Sequence, residues 1–281
     1  MEVTKPIVAV IGVGLMGGSL GMALRLRKYK VIGIGRNLKK LQIAKKTGAV
    51  DFFYTDMKYA ANANIIVICL PVNKIVETYK ELIKFVSNKT IICDIGSTKY
   101  TTAKKIKQII GKNKNYPYFV GCHPMTGTEK SGITNAVNEL YTKKTVVITD
   151  KKENKKIKPV VKMWKDIGCN VVFMSPEKHD ELVAFTSHLP HIIAFSFYKI
   201  FKDKLKNNSQ IKAVTAGSFE SITRVAKSSS DIWLPIIENN TKNLKKVVDE
   251  FCNQLNLFSK NFKNKNKLKN LIDKSVRNDT K

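Results

Sequence analysis

The chain has 281 residues, 43% of them hydrophobic and 26% charged, which indicates a globular protein with room for about two domains. Lys and Arg number 50 against 22 Asp and Glu, but no nucleic-acid-binding module accompanies this charge, so we expect no specific nucleic-acid partner. The longest apolar run, residues 65–72, is too short to cross a membrane, and the first residues carry no leader pattern. We therefore expect a cytoplasmic protein without a membrane partner.

Short runs rich in β-branched residues predict the strands of an N-terminal domain that covers residues 1–174. Longer stretches with helical spacing separate these runs, which favours parallel strand pairing and a doubly wound, Rossmann-type α/β sheet. The predicted strands lie at residues 7–12, 31–35, 65–71, 90–96, 118–124, 145–149 and 170–174.

Helical patterns replace the strands in the rest of the chain, residues 175–281, and predict an all-α C-terminal domain. Ser-Pro-Glu at residues 175–177 is typical of a helix start, because serine caps, proline suits the first turn and an acid favours the helix dipole. Pro190 should bend this first helix, since proline removes a backbone hydrogen bond. Further helices are expected at 210–226, at 231–257 and in the tail.

A glycine motif follows the first predicted strand. In IGVGLMGGS, Gly12, Gly14 and Gly17 fit the G-x-G-x-x-G pattern, in which the backbone turns tightly and approaches a pyrophosphate. The second strand ends in Gly-Arg-Asn and lacks the acid that binds the ribose hydroxyl of NAD. Arg36 could instead meet a 2′-phosphate, so we expect NADP, with NAD possible. The expected cofactor-binding residues are Gly12, Gly14, Leu15, Met16, Gly17, Arg36 and Pro71.

Two polar stretches lie where later strands end, at DIGSTK (94–99) and GCHPMTGTEKSG (121–132). The carboxyl ends of strands are where open α/β sheets bind their ligands. His123, at a strand end before a proline and a glycine-rich turn, is therefore a candidate catalytic residue. The five cysteines are scattered, which excludes a disulfide framework, and we expect no metal site.

Five strings, in this order, resemble the prephenate and arogenate dehydrogenases of tyrosine biosynthesis: VIGVGLMGGSL, DIGSTK, GCHPMTGTEKSG, HDELVAFTSHLPH and AGSFESITRVAKSSSDIW. The resemblance covers nearly the whole chain. It implies a Rossmann-type domain, a helical domain that forms a homodimer, and oxidative decarboxylation of a small cyclohexadienyl acid. An NAD(P)-dependent enzyme is therefore expected.

The same resemblance implies roles for single residues. His123 would be the base that takes the hydroxyl proton, and Ser97 would hydrogen-bond the histidine or that hydroxyl. Arg224 would bind a substrate carboxylate, and Trp233 would reach the neighbouring subunit's site. The remaining substrate-binding residues expected are Ser187, His191, Thr128 and Glu129. Glu220 stands where the family often has a basic residue, so the choice between prephenate and arogenate stays open.

Three other functions remain possible at this stage. A hydroxyacid dehydrogenase of the hydroxyisobutyrate or phosphogluconate type shares the glycine loop, but its lysine motif is not found. A metal hydrolase could use His179, His188 and His191, although the carboxylate geometry is missing. A non-enzymatic dinucleotide-binding regulator would leave the histidine motifs without a role.

Overall fold

A single sheet forms the centre of the first half of the chain, in a computed structural model that describes residues 5–128, 130–150 and 152–276. The strands are β1 (Ile7–Ile11), β2 (Lys30–Ile34), β3 (Phe52–Tyr54), β4 (Ile65–Ile68), β5 (Ile91–Asp94), β6 (Tyr118–Pro124), β7 (Thr145–Ile148) and β8 (Asn170–Phe173). Their order across the sheet is β3-β2-β1-β4-β5-β6-β7-β8. The expected Rossmann-type arrangement is therefore present.

The sheet is not parallel throughout, which corrects the sequence prediction. Strands β1 to β6 pair in parallel, but β7 runs antiparallel to β6, with His123 opposite Val147. The described residues between β6 and β7 contain a 3₁₀ turn, Ile133–Asn135, and no α-helix that would carry the chain back for parallel pairing. The sequence also missed β3, a three-residue strand that pairs with β2.

Helices cover both faces of the sheet. They are α1 (Leu15–Leu26), α2 (Leu38–Lys46), α3 (Val72–Leu82), α4 (Tyr100–Ile110) and α5 (Lys158–Asp166). Alternate residues of β1 enter two separate cores: Val8 and Val10 pack on one side, and Ala9 and Ile11 on the other. Burial on both faces explains why these strands have continuous apolar sequences.

The second half is helical in its described part. Its helices are α6 (Pro176–Val183), α7 (Leu189–Asn207), α8 (Gly217–Thr223), α9 (Ser230–Asn239), α10 (Thr241–Lys260) and α11 (Lys265–Ser275). Trp233 and Ile236 of α9 join the core that contains Ile66 and Ile68 of β4, so the helical part packs against the sheet domain. No helix in the described part of the chain is long and apolar enough to span a membrane.

A π-helical turn, Ala184–His188, lies between α6 and α7, just before Pro190, where the sequence predicts a bend. The N–H of Leu189 donates to the carbonyl of Ala184, five residues back, and Pro190 then occupies the first turn of α7. The backbone stays helical through this turn, since Ala184 and His188 both have right-handed helical φ and ψ. The π turn therefore precedes the proline without ending the helix, as π-bulges inside α-helices do.

The two later helices are each divided, unlike their predictions. The predicted helix 210–226 consists of α8 between two 3₁₀ turns, Ser209–Lys212 and Arg224–Lys227. The predicted helix 231–257 breaks at Asn240, where α9 ends and α10 begins. Asn240 is buried, and its side chain binds groups of two other segments, which fixes the break at this residue.

Candidate active site

The glycine loop between β1 and α1 has the geometry that the motif predicts. Gly12 has a φ of +93°, and a Cβ at Gly12 would lie 2.6 Å from the carbonyl oxygen of Cys69. A Cβ at Gly17 would lie 2.1 Å from the Gly12 carbonyl oxygen, so helix α1 approaches the loop as closely as glycine allows. Gly14 is the N-cap residue of α1, and a Cβ at Gly14 would have no neighbouring atom within 4 Å. This helix start can therefore receive a phosphate on its free N–H groups.

The other expected cofactor residues lie around this loop or at the same sheet edge. Leu15 is buried and Met16 is half-buried, and the Met16 carbonyl accepts a hydrogen bond of 2.8 Å from the Tyr141 hydroxyl. Pro71 is exposed at the start of α3, directly after β4, which pairs with β1. Arg36 is exposed where β2 ends. The residues present thus fit a dinucleotide laid across the carboxyl ends of β1, β2 and β4.

His123 lies near the end of β6 and is only 8% exposed. Its Nδ1 is 2.8 Å from Nε2 of His179, which α6 brings over the sheet edge. The Nδ1 of His179 is in turn 2.7 Å from Oδ1 of Asp180. Asp180 also accepts the backbone N–H groups of Lys99 and Tyr100, at 2.8 and 2.9 Å, at the start of α4. A continuous hydrogen-bonded chain therefore runs from the α4 start to the His123 ring.

The surroundings keep His123 neutral. Burial holds the pKa of His123 well below its usual value, and the charges of His179, Lys99 and His188 lower it further. The Nε2 of His123 has no hydrogen bond to any of the described residues. A neutral imidazole with one unoccupied nitrogen can accept a proton from a bound molecule.

Ser97 does not hydrogen-bond His123, which corrects one of its two expected roles. Among the described residues, the partner of His123 is His179, and the half-buried Ser97 side chain makes no hydrogen bond. Ser97 lies in the loop after β5, next to the strand that carries His123. It remains available to hydrogen-bond the hydroxyl of a substrate.

A second group of expected residues comes together around Trp233. The ring of His191 stacks on Trp233 with centroids 3.8 Å apart, and the ring of His188 meets it edge-on at 5.9 Å. The Nδ1 of His191 lies 3.0 Å from the Ser187 carbonyl. Burial lowers the pKa of His191, and the nearby positive charge of Arg224 lowers it further. Trp233 is thus buried against residues of its own chain. Its expected reach toward a neighbouring subunit's site stays a prediction.

Two further expected residues lie in the turn after β6. Thr128 is exposed, and its hydroxyl accepts the N–H of Lys130 at 3.0 Å, so its visible role is local. Glu129 lies outside the described residues. Neither Thr128 nor Lys130 makes a hydrogen bond with His123.

Sequence reasoning missed the roles of several residues. The sequence patterns indicate His179 only as a possible metal ligand, and they assign no role to Asp180 or Asn240. Asn240 donates to the backbone carbonyl of Asp180 at 2.7 Å and lies 3.1 Å from Nδ1 of His188. The HDELVAFTSHLPH string contains both residues, but only the fold shows that His179 reaches His123 on β6 and that Asp180 reaches the start of α4. No group of three potential metal ligands occurs among the described residues.

Comparison with known proteins assigns both halves of the chain. Residues 20–173 match the prephenate dehydrogenase nucleotide-binding domain, and residues 175–273 match the prephenate dehydrogenase dimerization domain. This chain belongs to the prephenate dehydrogenase family. The family expected from the sequence is thereby confirmed, together with the fold class and with the class of oxidoreductase in tyrosine biosynthesis.

Individual relatives agree with this assignment over most of their length. A prephenate dehydrogenase of Bacillus subtilis is 29% identical over 264 residues, which cover 91% of this chain and 70% of that protein. A cyclohexadienyl dehydrogenase of Zymomonas mobilis is 29% identical over 255 residues, covering 88% and 85%. The Aquifex aeolicus prephenate dehydrogenase, solved with hydroxyphenyl propionate and NAD⁺, has a TM-score of 0.87 and 30% identity over 98% of this chain and 97% of that one.

Proposed function

We propose that this family member oxidatively decarboxylates a cyclohexadienyl acid, prephenate or arogenate, with a nicotinamide dinucleotide as the oxidant. The observation that carries the proposal is the neutral His123, held through Nδ1 and unoccupied at Nε2, at the carboxyl edge of the sheet that bears the glycine loop. The names of the Bacillus and Zymomonas relatives support the substrate class.

The reaction needs one proton acceptor on the protein. The bound dinucleotide supplies the acceptor for the hydride that leaves the ring carbon bearing the hydroxyl. His123 takes the hydroxyl proton at Nε2 while that carbon becomes a carbonyl. The bond between the ring and its carboxylate then breaks, carbon dioxide leaves, and the electron pair completes an aromatic ring. The proton returns from His123 to the oxygen, which gives the phenol and restores the base.

The substrate's carboxylates require cationic or hydrogen-bonding partners, which the second residue group provides. Arg224 lies near enough to His191 for its charge to lower that pKa, and its planar guanidinium can bind a carboxylate with two hydrogen bonds. Ser187 and Trp233 border the same histidine. We propose that this group, with Thr128 and Glu129 from the turn after β6, binds the substrate while Ser97 holds its hydroxyl.

For the cofactor we propose NADP rather than NAD. Arg36 and Asn37 are both exposed at the end of β2, and the Asn37 side chain accepts the N–H of Lys40 at the start of α2. Arg36 is therefore the candidate for binding the cofactor. An arginine there can bind a 2′-phosphate bidentately. The Aquifex relative holds NAD⁺ in its crystal structure, so both cofactors belong in the assay.

For the assembly we propose a homodimer formed by the helical half, residues 175–281, with residues 1–174 as the dinucleotide-binding domain. Helix α7 buries only Leu189 and Ala194 of its 19 residues, and α10 buries only Leu244 of its 20. Of the 22 exposed large apolar side chains described, 14 lie after residue 175. The concentration of exposed apolar side chains in this half supports an interface there. The expected cytoplasmic location stays a prediction from the sequence.

A two-by-two assay tests the proposal directly. Purified protein is incubated with prephenate or arogenate and with NAD⁺ or NADP⁺, and the absorbance of the reduced cofactor is followed. We expect turnover of at least one substrate, with a higher kcat/KM for NADP⁺ that Arg36→Ala reverses. Absence of reduced cofactor in all four mixtures would refute the enzymatic proposal, and an unchanged cofactor ratio in Arg36→Ala would refute the role of Arg36.

A further inference from the structure

When both rings are neutral, the hydrogen-bonded chain behind His123 has one arrangement of protons that satisfies it. Asp180 already accepts the N–H groups of Lys99 and Tyr100, so its carboxylate acts as an acceptor at this site. The Nδ1 of His179, 2.7 Å from the same carboxylate, must therefore carry a proton and donate it. In a neutral His179 the other nitrogen, Nε2, is then unprotonated.

The hydrogen bond between the two rings then determines the tautomer of His123. The unprotonated Nε2 of His179 lies 2.8 Å from Nδ1 of His123, so that nitrogen of His123 must be the donor. A neutral His123 with a proton on Nδ1 has its lone pair on Nε2. If the order were reversed, Nε2 of His123 would carry a proton and could not act as the base.

We propose that His179 and Asp180 are positioning residues that hold His123 in the tautomer whose Nε2 is free to accept the substrate's proton. This inference rests on the proposed function, because it assigns a purpose to the tautomer. Neither His179 nor Asp180 has to touch the substrate. Both act through His123, as a carboxylate can fix the tautomer of a catalytic imidazole.

The surrounding contacts make the arrangement rigid. His179 and Asp180 are buried, with exposures of 0% and 1%, so water does not compete for their hydrogen bonds. Asn240 donates to the Asp180 carbonyl at 2.7 Å and thereby ties α6 to the start of α10. Among the described residues, the charged groups nearest this chain include the Asp180 carboxylate and the ammonium of Lys99, which is itself paired with the Asp94 carboxylate.

The tautomer can be measured without any activity assay. The chain contains four histidines, so histidine labelled with ¹⁵N gives a spectrum that four single substitutions assign. At neutral pH we expect the Nε2 resonance of His123 in the downfield range of an unprotonated nitrogen and its Nδ1 resonance in the protonated range. His179 should show the same pattern. The opposite tautomer of His123 would overturn the inference.

Two substitutions of His179 then separate positioning from mere packing. His179→Phe fills the space but cannot accept the Nδ1 proton, and we expect kcat to fall roughly 10²-fold or more, with little change in KM. His179→Gln offers an amide oxygen to His123 and an amide N–H to Asp180, so it should recover part of the lost kcat. Lys178→Ala, whose side chain pairs with Glu181 on the exposed side of α6, is the matched control and should keep wild-type kcat.

The possible results distinguish the inference from the proposed function. Wild-type kcat in folded His179→Phe, or equal losses in the Phe and Gln variants, would refute the positioning role. If the wild-type protein turns over neither substrate, the proposed reaction fails, and the ¹⁵N spectrum alone decides whether the tautomer is as inferred. Circular dichroism and thermal melting of each variant identify any variant that does not fold.

Discussion

His188 should make the folded protein sensitive to acid. Its side chain is buried, its Nδ1 lies 3.1 Å from Nδ2 of Asn240, and its Nε2 has no hydrogen-bond partner among the described residues. Burial lowers the pKa of His188 from 6.5 to about 4, although the Asp180 carboxylate opposes this shift. The unfolded chain therefore binds a proton over a pH range in which the folded chain leaves this histidine neutral.

The size of the effect follows from that difference in pKa. Above pH 6.5 the histidine is neutral in both states and its contribution to stability is fully present. As the pH falls, the unfolded state gains a proton first, and the free energy of unfolding decreases by about 1.4 kcal/mol per pH unit. Between pH 6.5 and the folded pKa of about 4, His188 should remove about 3 kcal/mol.

The measurement compares urea unfolding of the wild type and of His188→Gln at a series of pH values and at one protein concentration. Glutamine can still meet Asn240 but cannot take up the proton, so the variant should lose less free energy of unfolding on acidification, by about 3 kcal/mol. His191→Gln, at a half-buried histidine, is the control and should change the pH dependence less. Parallel pH curves for the wild type and His188→Gln would refute the reasoning.

Four further substitutions test the reaction site and the glycine loop. His123→Asn should lower kcat roughly 10²- to 10⁴-fold and leave the dinucleotide Kd unchanged, as stopped-flow and fluorescence titration would show. Arg224→Ala should raise the substrate KM about 10- to 100-fold, because a charge-assisted hydrogen bond contributes about 1.5–3 kcal/mol, and an unchanged KM would refute its role. Gly17→Ala would place a Cβ 2.1 Å from the Gly12 carbonyl and should lower the Tm, whereas Gly14→Ala, with nothing within 4 Å, should keep it.

The fold was predictable where one local signal determined one structural feature. The run at β4 is buried throughout, so its continuous apolar sequence indicated a strand covered on both faces. The direction of β7 was not predictable, because a strand buried on both faces has the same composition in either direction. The connection from β6 is long enough for a crossover, and only the structure shows that its described residues form a 3₁₀ turn instead of an α-helix.

The site was predictable only in part, for a similar reason. His123 could be found because it stands beside a proline and a glycine-rich turn at a strand end. Its partner His179 is 56 residues away in the sequence, and nothing local indicates that α6 crosses the end of β6. Ser97, which follows the neighbouring strand, is the hydrogen-bond partner of His123 that the sequence suggests. In the structure that partner is His179. Long-range contacts of this kind follow from packing, which single motifs do not report.

A buried ion pair connects these elements. The ammonium of Lys99 binds Oδ2 of Asp94 and donates to the Cys122 carbonyl at 2.8 Å, one residue before His123. Both charged side chains are almost completely buried, and Asp94 also accepts the N–H of Gly96 at 2.8 Å. Burial raises the pKa of Asp94, and the Lys99 ammonium opposes that shift. Lys99 therefore neutralises a buried carboxylate and also binds the backbone of the strand that carries His123.

Removal of Lys99 alone should show how much the ion pair with Asp94 contributes to the stability of the fold. Lys99→Met leaves the Asp94 carboxylate buried without its counter-charge, which should cost about 3–5 kcal/mol in the free energy of unfolding. The double variant Lys99→Met/Asp94→Asn removes the uncompensated charge and should be more stable than the single variant, as urea unfolding would measure. If the two variants unfold at the same urea concentration, the pair does not carry the energy assigned to it. Because the double variant still lacks the bond to the Cys122 carbonyl, its kcat should remain below that of the wild type even where its stability recovers.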